Sequence, residues 1–147
     1  MNCRHGICFT IAAIFLLAGS AAAEDHTWIG PVGAPWPIAN NWNPTGVPGA
    51  NDTAIINMPG QVVLVVGAPS NPVPTVGNLD VFNGSTLDFG KLNIDATPEQ
   101  NNGIIKNDGV IRFPNGGILT IRSGPATLHG DGELLMAIPT NPDKTGT

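Results

Sequence analysis

The chain has 147 residues, with 6 basic against 11 acidic side chains, only 12% charged residues, and 19 Gly and 14 Pro. No Lys/Arg cluster interrupts this weakly charged, acidic sequence, which excludes the phosphate-neutralising footprint of a nucleic-acid binder. An apolar share of 41%, gathered in short clusters, is too high for a disordered chain and predicts a folded, turn-rich β protein.

The first element is an export signal over residues 1–23. Arg4 and His5 precede an apolar run through residues 7–17, and Ala21-Ala22-Ala23 supplies a small-residue cleavage site. Leu16-Leu17-Ala18-Gly19 has the form of a stretch preceding an acylated cysteine, but Ser20 follows and offers no thiol for a lipid. Removing residues 1–23 from 147 leaves 124, enough for one domain with its own core. It also removes Arg4, leaving 5 basic residues against 11 acids, and takes away Cys3 and Cys8, which excludes disulfides, thiolate metal sites and a cysteine nucleophile. No later apolar run reaches the length of a membrane span, so none is expected after signal removal.

Residues 24–60 hold all three tryptophans, Trp28, Trp36 and Trp42, and five prolines ahead of a first clear strand at 54–56. This segment reads as loops and short extended pieces forming an N-terminal cap. From residue 61 to 138 the chain changes to short apolar clusters at 62–66, 79–81, 87–89, 92–94, 110–113, 119–121 and 134–136, separated by Gly, Asn and Asp. Several alternate apolar and polar residues, which places one set on a buried face. No window carries a helical stripe, and residues 139–147 form a polar tail.

Spacing is the stronger signal. Asn107-Asp108-Gly109-Val110-Ile111-Arg112-Phe113 recurs as Gly130-Asp131-Gly132-Glu133-Leu134-Leu135-Met136, offset by 132 − 109 = 23 residues. Residues 83–89 resemble residues 115–121 at an offset of 121 − 89 = 32. Turn-strand units at such periods predict a solenoid, in which each coil buries its apolar face only by stacking on the next. The expected fold is all-β, a right-handed parallel β-helix of few coils with a Trp-rich N-terminal cap; an antiparallel β-sandwich is the alternative.

The opening Trp28, Trp36, Ala39-Asn40-Asn41-Trp42, Pro48-Gly49 and Asp52-Thr53-Ala54, followed by turn-strand units ending in Gly130-Asp131-Gly132-Glu133-Leu134, resembles secreted bacterial right-handed β-helix proteins. These include autotransporter passenger-like proteins with autotransporter-associated β-strand repeats. The resemblance runs from Trp28 to about Met136 and implies an extracellular, cell-surface or periplasmic location. Members of such families are much longer, and no translocator barrel or sorting signal is recognisable here, so a short paralogue or part of a longer protein is expected.

The candidate sites are few. An exposed indole stacks on a sugar ring, but a solenoid end also needs a cap over its raw core and strand edges. Each Trp buries on the order of 200 Å², roughly 5 kcal/mol gross, so capping suffices to explain Trp28, Trp36 and Trp42. Asp80, Asp88 and Asp95 invite an acid/base or Ca²⁺ reading. Asp80 and Asp88, each between apolar neighbours, are expected on the outer surface, within reach of Arg112 and Arg122 for ion pairs between coils. His26 and His129 lack a third ligand at metal-like spacing and are expected at the surface. Ser85 and Ser123 sit in Gly-containing turns without a nucleophile elbow, and Asp131-Gly132 is a single turn, not a Ca²⁺-binding array.

These observations lead to an exported, non-catalytic β-solenoid segment with a structural or adhesive role at the bacterial cell surface or outside the cell. No catalytic residue, metal or cofactor is expected. The expected partners are cell-surface glycans or other envelope proteins, with end-to-end self-association through an uncapped last coil. The alternatives are a polysaccharide lyase or hydrolase fragment, favoured by acids with a Lys or Arg in one outer groove, and a small carbohydrate-binding module built on the tryptophans.

Overall fold

The computed structural model describes residues 22–60, 62–65, 73–100, 102–114 and 117–136. Residues 1–21 of the expected signal at 1–23, the chain at 66–72 and the expected tail at 139–147 lie outside the described residues. Among the described residues there is no α-helix, and two single 3₁₀ turns, Ala39–Asn41 and Pro98–Gln100, are the only helical pieces.

The chain winds as a parallel β-solenoid. Strand β1 (Asp25–Trp28) and the short β2 (Trp42–Asn43) open it, and β3 (Thr53–Ile56), β4 (Val62–Val65) and β5 (Thr75–Val76) form the first complete coil. The second coil is β6 (Asn78–Val81), β7 (Thr86–Phe89) and β8 (Lys91–Asp95). The third is β9 (Ile104–Asn107), β10 (Val110–Phe113) and β11 (Ile118–Arg122), and β12 (Thr127–His129) and β13 (Glu133–Met136) begin a fourth. Equivalent strands stack into three sheets: A, ordered β12-β9-β6-β3-β1-β2; B, ordered β13-β10-β7-β4; and C, ordered β11-β8-β5. Every pairing is parallel except that of β1 with β2. The antiparallel sandwich is therefore excluded.

Alternation decides which side chains enter the core. In sheet A the register stacks His26, Ala54, Leu79, Ile105 and Leu128 inward, one from each coil. Sheet B stacks Val63, Leu87, Ile111 and Leu134, and sheet C stacks Val76, Ile94 and Ile121 beside Leu92 and Leu119. These columns join one continuous hydrophobic core.

The 23-residue offset is real, since Val110 faces Glu133 and Ile111 faces Leu134. The 32-residue offset is not: β7 belongs to sheet B and pairs with β10, whereas β11 belongs to sheet C and pairs with β8. Both segments carry Asn-Gly in sequence before a strand, but the strands belong to different sheets. Strands β1, β5, β9 and β12 were not among the apolar clusters read from sequence. Each is short, or buries a polar residue such as His26 or Asn107 where an apolar one is expected.

The corner between sheets A and B depends on close backbone approach. Gly132 N–H donates to Asn107 O at 2.8 Å, and a Cβ on Gly132 would lie 2.3 Å from Gly109 O. Only glycine allows the coils to stack there. Asn107, buried at the end of β9, donates through Nδ2 to Glu133 O at 2.9 Å and ties the corner to the next coil.

The N-terminal end is closed by the tryptophans. Trp28 faces Trp42 across the β1–β2 ladder. Their ring centroids are 5.0 Å apart at 84°, and Trp36 meets Trp42 at 4.5 Å and 72°. Trp42 Nε1 donates to Trp36 O at 3.0 Å. All three rings are buried, and a Cβ on Gly30 would strike Trp28 and Asn41 at 2.7 Å.

Candidate functional site

The three carboxylates singled out from sequence fall on three different sheets. Asp80 lies on sheet A, Asp88 on sheet B and Asp95 on sheet C. All point outward, as the alternation predicts, and no pair of them shares a groove. A two-carboxylate centre built from them is excluded by the topology.

Each has its own setting. Asp88 faces Arg112 in the β7–β10 register and receives its guanidinium bidentately, Nε to Oδ1 and Nη2 to Oδ2 at 2.6 Å. This pair borders a cavity of about 470 Å³ walled also by Phe113, Pro114, Leu135 and Met136. Asp95 faces Arg122. A hydrogen bond from the Ser123 side chain, foremost, holds its carboxyl below the usual range against the opposing effect of burial, with further help from Thr97 Oγ1 at 2.9 Å and the nearby Arg122 charge. Ser123 is the one non-glycine residue with a left-handed backbone among the described residues, at φ 66°. Ser85 is buried at a corner, where its Oγ accepts from Met58 N–H at 2.9 Å.

The tryptophans present no open ring face, since the most exposed of them is 1% accessible. A sugar platform built on Trp28, Trp36 and Trp42 is therefore ruled out.

The two histidines part company. His129 is exposed on sheet A, as expected. His26 is not at the surface: it is buried, with Nδ1 3.1 Å from Pro44 O and Nε2 3.6 Å from Glu24 Oε2 and 3.7 Å from Asp52 Oδ2. The cause is its place in Asp25-His26-Thr27-Trp28, where alternation that sends Trp28 inward must send His26 inward too. Asp52 anchors this corner by accepting from Glu24 N–H at 3.0 Å and Gly49 N–H at 2.8 Å.

On the outer face of sheet A, Asp80 and His129 are joined by Asp25, Asn78, Ile104 and Lys106, which carry no motif of their own in the sequence. The register aligns Asp25, Thr53, Asn78, Ile104 and Thr127 in one outward column. The next column is Thr27, Ile55, Asp80, Lys106 and His129. Between them runs a groove of about 260 Å³. Lys106 Nζ lies 3.4 Å from Asp108 Oδ2 and 5.3 Å from the centre of the Phe82 ring. Asn78 Oδ1 accepts from Ile104 N–H at 2.9 Å, which leaves its amide NH₂ facing out. Asp80 makes no hydrogen bond or ion pair among the described residues. Burial lifts its carboxyl above the usual range, opposed by Lys106 and His129 and assisted by Asp25 and Asp108. The sequence signal for this face is the pairing of Asp80 with Lys106, visible only once β9 is recognised as a strand.

Among the described residues, no three His, Cys, Asp or Glu side chains converge as a metal site, and no helix is long and apolar enough to cross a membrane. No known protein family, curated protein or solved structure matches this chain.

Proposed function

We propose that this chain is an exported, non-catalytic β-solenoid segment with a structural or adhesive role at the bacterial cell surface or outside the cell, of the autotransporter passenger-like kind. The observation that carries the reading is the stacking itself. One core runs the length of the solenoid, sealed at its start by buried Trp28, Trp36 and Trp42, while the outward positions of the three sheets carry a mixture of polar, charged and apolar residues. A rod of this kind can change its outer faces without disturbing its core. The partners that fit such faces are surface glycans and envelope proteins. The far end of the solenoid adds a further contact: inward Ile121 of β11 and Leu128, Leu134 and Met136 of the fourth coil are 40%, 54%, 41% and 70% exposed, which supports end-to-end self-association.

The test is expression of the full chain in a bacterial host, followed by fractionation and N-terminal sequencing. Export with cleavage near Ala23, and retention at the envelope or in the medium, is the expected result. An unprocessed cytoplasmic protein overturns it.

One observation favours a second reading, a polysaccharide lyase or hydrolase: Asp25, Asp80, Lys106 and His129 share one outer groove. Incubation with pectin, alginate and xylan, with and without Ca²⁺, separates the two, because reproducible release of unsaturated or reducing ends requires the enzyme.

A further inference from the structure

The outer face of sheet A differs from the rest of the surface in combining length, mixed polarity and a carboxylate without a hydrogen-bond donor. Five parallel strands line up across it, β1, β3, β6, β9 and β12. At about 4.8 Å between neighbours they give a track roughly 19 Å long. Half-buried Ile55 and Ile104 form two apolar patches in this track, and Asp80, Asn78 and Lys106 stand beside them.

We propose that this groove is a binding site for a neutral, linear glycan lying across the strands, with sugar C–H faces resting on Ile55 and Ile104 and hydroxyl groups bonded to Asp80, Asn78 and Lys106. The proposal deepens the adhesive reading and rests on it, naming the face and the ligand class.

The chemistry selects the ligand. Asp80 accepts only, and sugar hydroxyls supply the donors it lacks through charge-assisted bonds. The Asn78 NH₂ and the remaining Lys106 ammonium protons donate to sugar oxygens. The groove carries both signs, negative at Asp25 and Asp80 and positive at Lys106. An acidic polymer meets Asp25 and Asp80 and pays like-charge repulsion that an uncharged polyol escapes, while Lys106, already 3.4 Å from Asp108, offers such a polymer little in return. The burial that lifts the Asp80 carboxyl is the desolvation expected of a group set into such a groove.

The experiment uses the full purified chain in calorimetric titrations against neutral oligosaccharides of xylan, glucan and galactan, with pectate, alginate and polylysine as charged probes. The variants are Ile104→Asp and Asp80→Asn in the groove, and Thr120→Asp on the exposed outer face of sheet C, with urea midpoints recorded for each. At least one neutral oligosaccharide is expected to bind. Ile104→Asp or Asp80→Asn should weaken it by about tenfold or more, the cost of hydrogen bonds left unmade, with no change for Thr120→Asp. Should Ile104→Asp fail to fold, the near-isosteric Asp80→Asn carries the comparison. The site is overturned if no neutral oligosaccharide binds, if the groove variants leave binding unchanged, or if pectate, alginate or polylysine binds in preference. Export and surface retention are read separately by fractionation. Their persistence without glycan binding removes only the groove assignment, whereas their absence removes the adhesive reading.

Discussion

Arg112 on β10 sits opposite Asp88 on β7 in the parallel register, and its guanidinium grips both carboxylate oxygens, fastening one coil to the next on the outside of sheet B. The Arg112 side chain is 42% exposed and that of Asp88 14%, so water screens much of the attraction. A double-mutant cycle of Arg112→Ala and Asp88→Ala, read from urea midpoints, should return a coupling of about 0.5–1 kcal/mol that shrinks with added salt. A salt-independent value several times larger would mean that the pair is far less solvated than its exposure indicates.

The cap depends on dense aromatic packing. Trp36→Ala opens a cavity among Trp28, Trp42 and the first coil, and should cost about 3–5 kcal/mol. Trp42→Phe keeps most of the volume but leaves the Trp36 carbonyl without its donor, for about 1–3 kcal/mol. Denaturant unfolding of the full chain followed by circular dichroism measures both, and a near-neutral Trp36→Ala would refute the capping role.

Two carboxylates should respond to pH in opposite senses. The raised Asp80 group binds its proton more tightly when folded, so its stabilising contribution is complete below its ordinary value of 3.8 and is lost as pH rises through the folded value. Asp80→Asn should therefore be more stable than the parent near neutrality, with the gap closing in acid. The lowered Asp95 group stabilises above 3.8, and that contribution is lost as pH falls through its folded value. Ser123→Ala removes the largest cause of the lowering and should move the Asp95 titration, followed by carboxyl NMR shifts, upward.

Coil stacking at the corner between sheets A and B should reject any side chain at Gly132. A Cβ there would press on the Gly109 and Asn107 carbonyl oxygens at 2.3 and 2.7 Å, backbone atoms that cannot swing aside. Gly132→Ala should cost about 1–3 kcal/mol. Gly49→Ala, whose Cβ would meet Asp52 Oδ2 at an ordinary 3.4 Å, is the matched control and should change the urea midpoint little.

The exposed layer formed by Ile121, Leu128, Leu134 and Met136 should make sedimentation of the parent chain depend on concentration. Leu128→Lys with Leu134→Lys places charges in that layer and should give a monomer at all concentrations. A concentration-independent monomer before substitution would count against end-to-end association.

The sequence by itself determined that the fold is built of β-strands, that its turns carry Asn, Asp and Gly, and that one turn-strand unit recurs 23 residues on at β10 and β13, because alternation and turn chemistry are local properties. It also placed Asp80 and Asp88 on the outside, since each is flanked by apolar residues that must go in. It did not determine which strands share a sheet. The similarity of residues 83–89 to 115–121 is one of local sequence, and only the stacking of whole coils assigns strands β7 and β11 to different sheets. For the same reason nothing local in the sequence marks His26 as buried; it is buried because β1 adds a layer to sheet A. The groove was hidden more deeply: Asp25, Asn78, Asp80, Ile104 and Lys106 are scattered over three coils, and neither Asp25 nor Lys106 stands out alone. Register brings them together, because parallel strands bonded edge to edge place residues some 25 apart in sequence at neighbouring positions, about 4.8 Å from strand to strand.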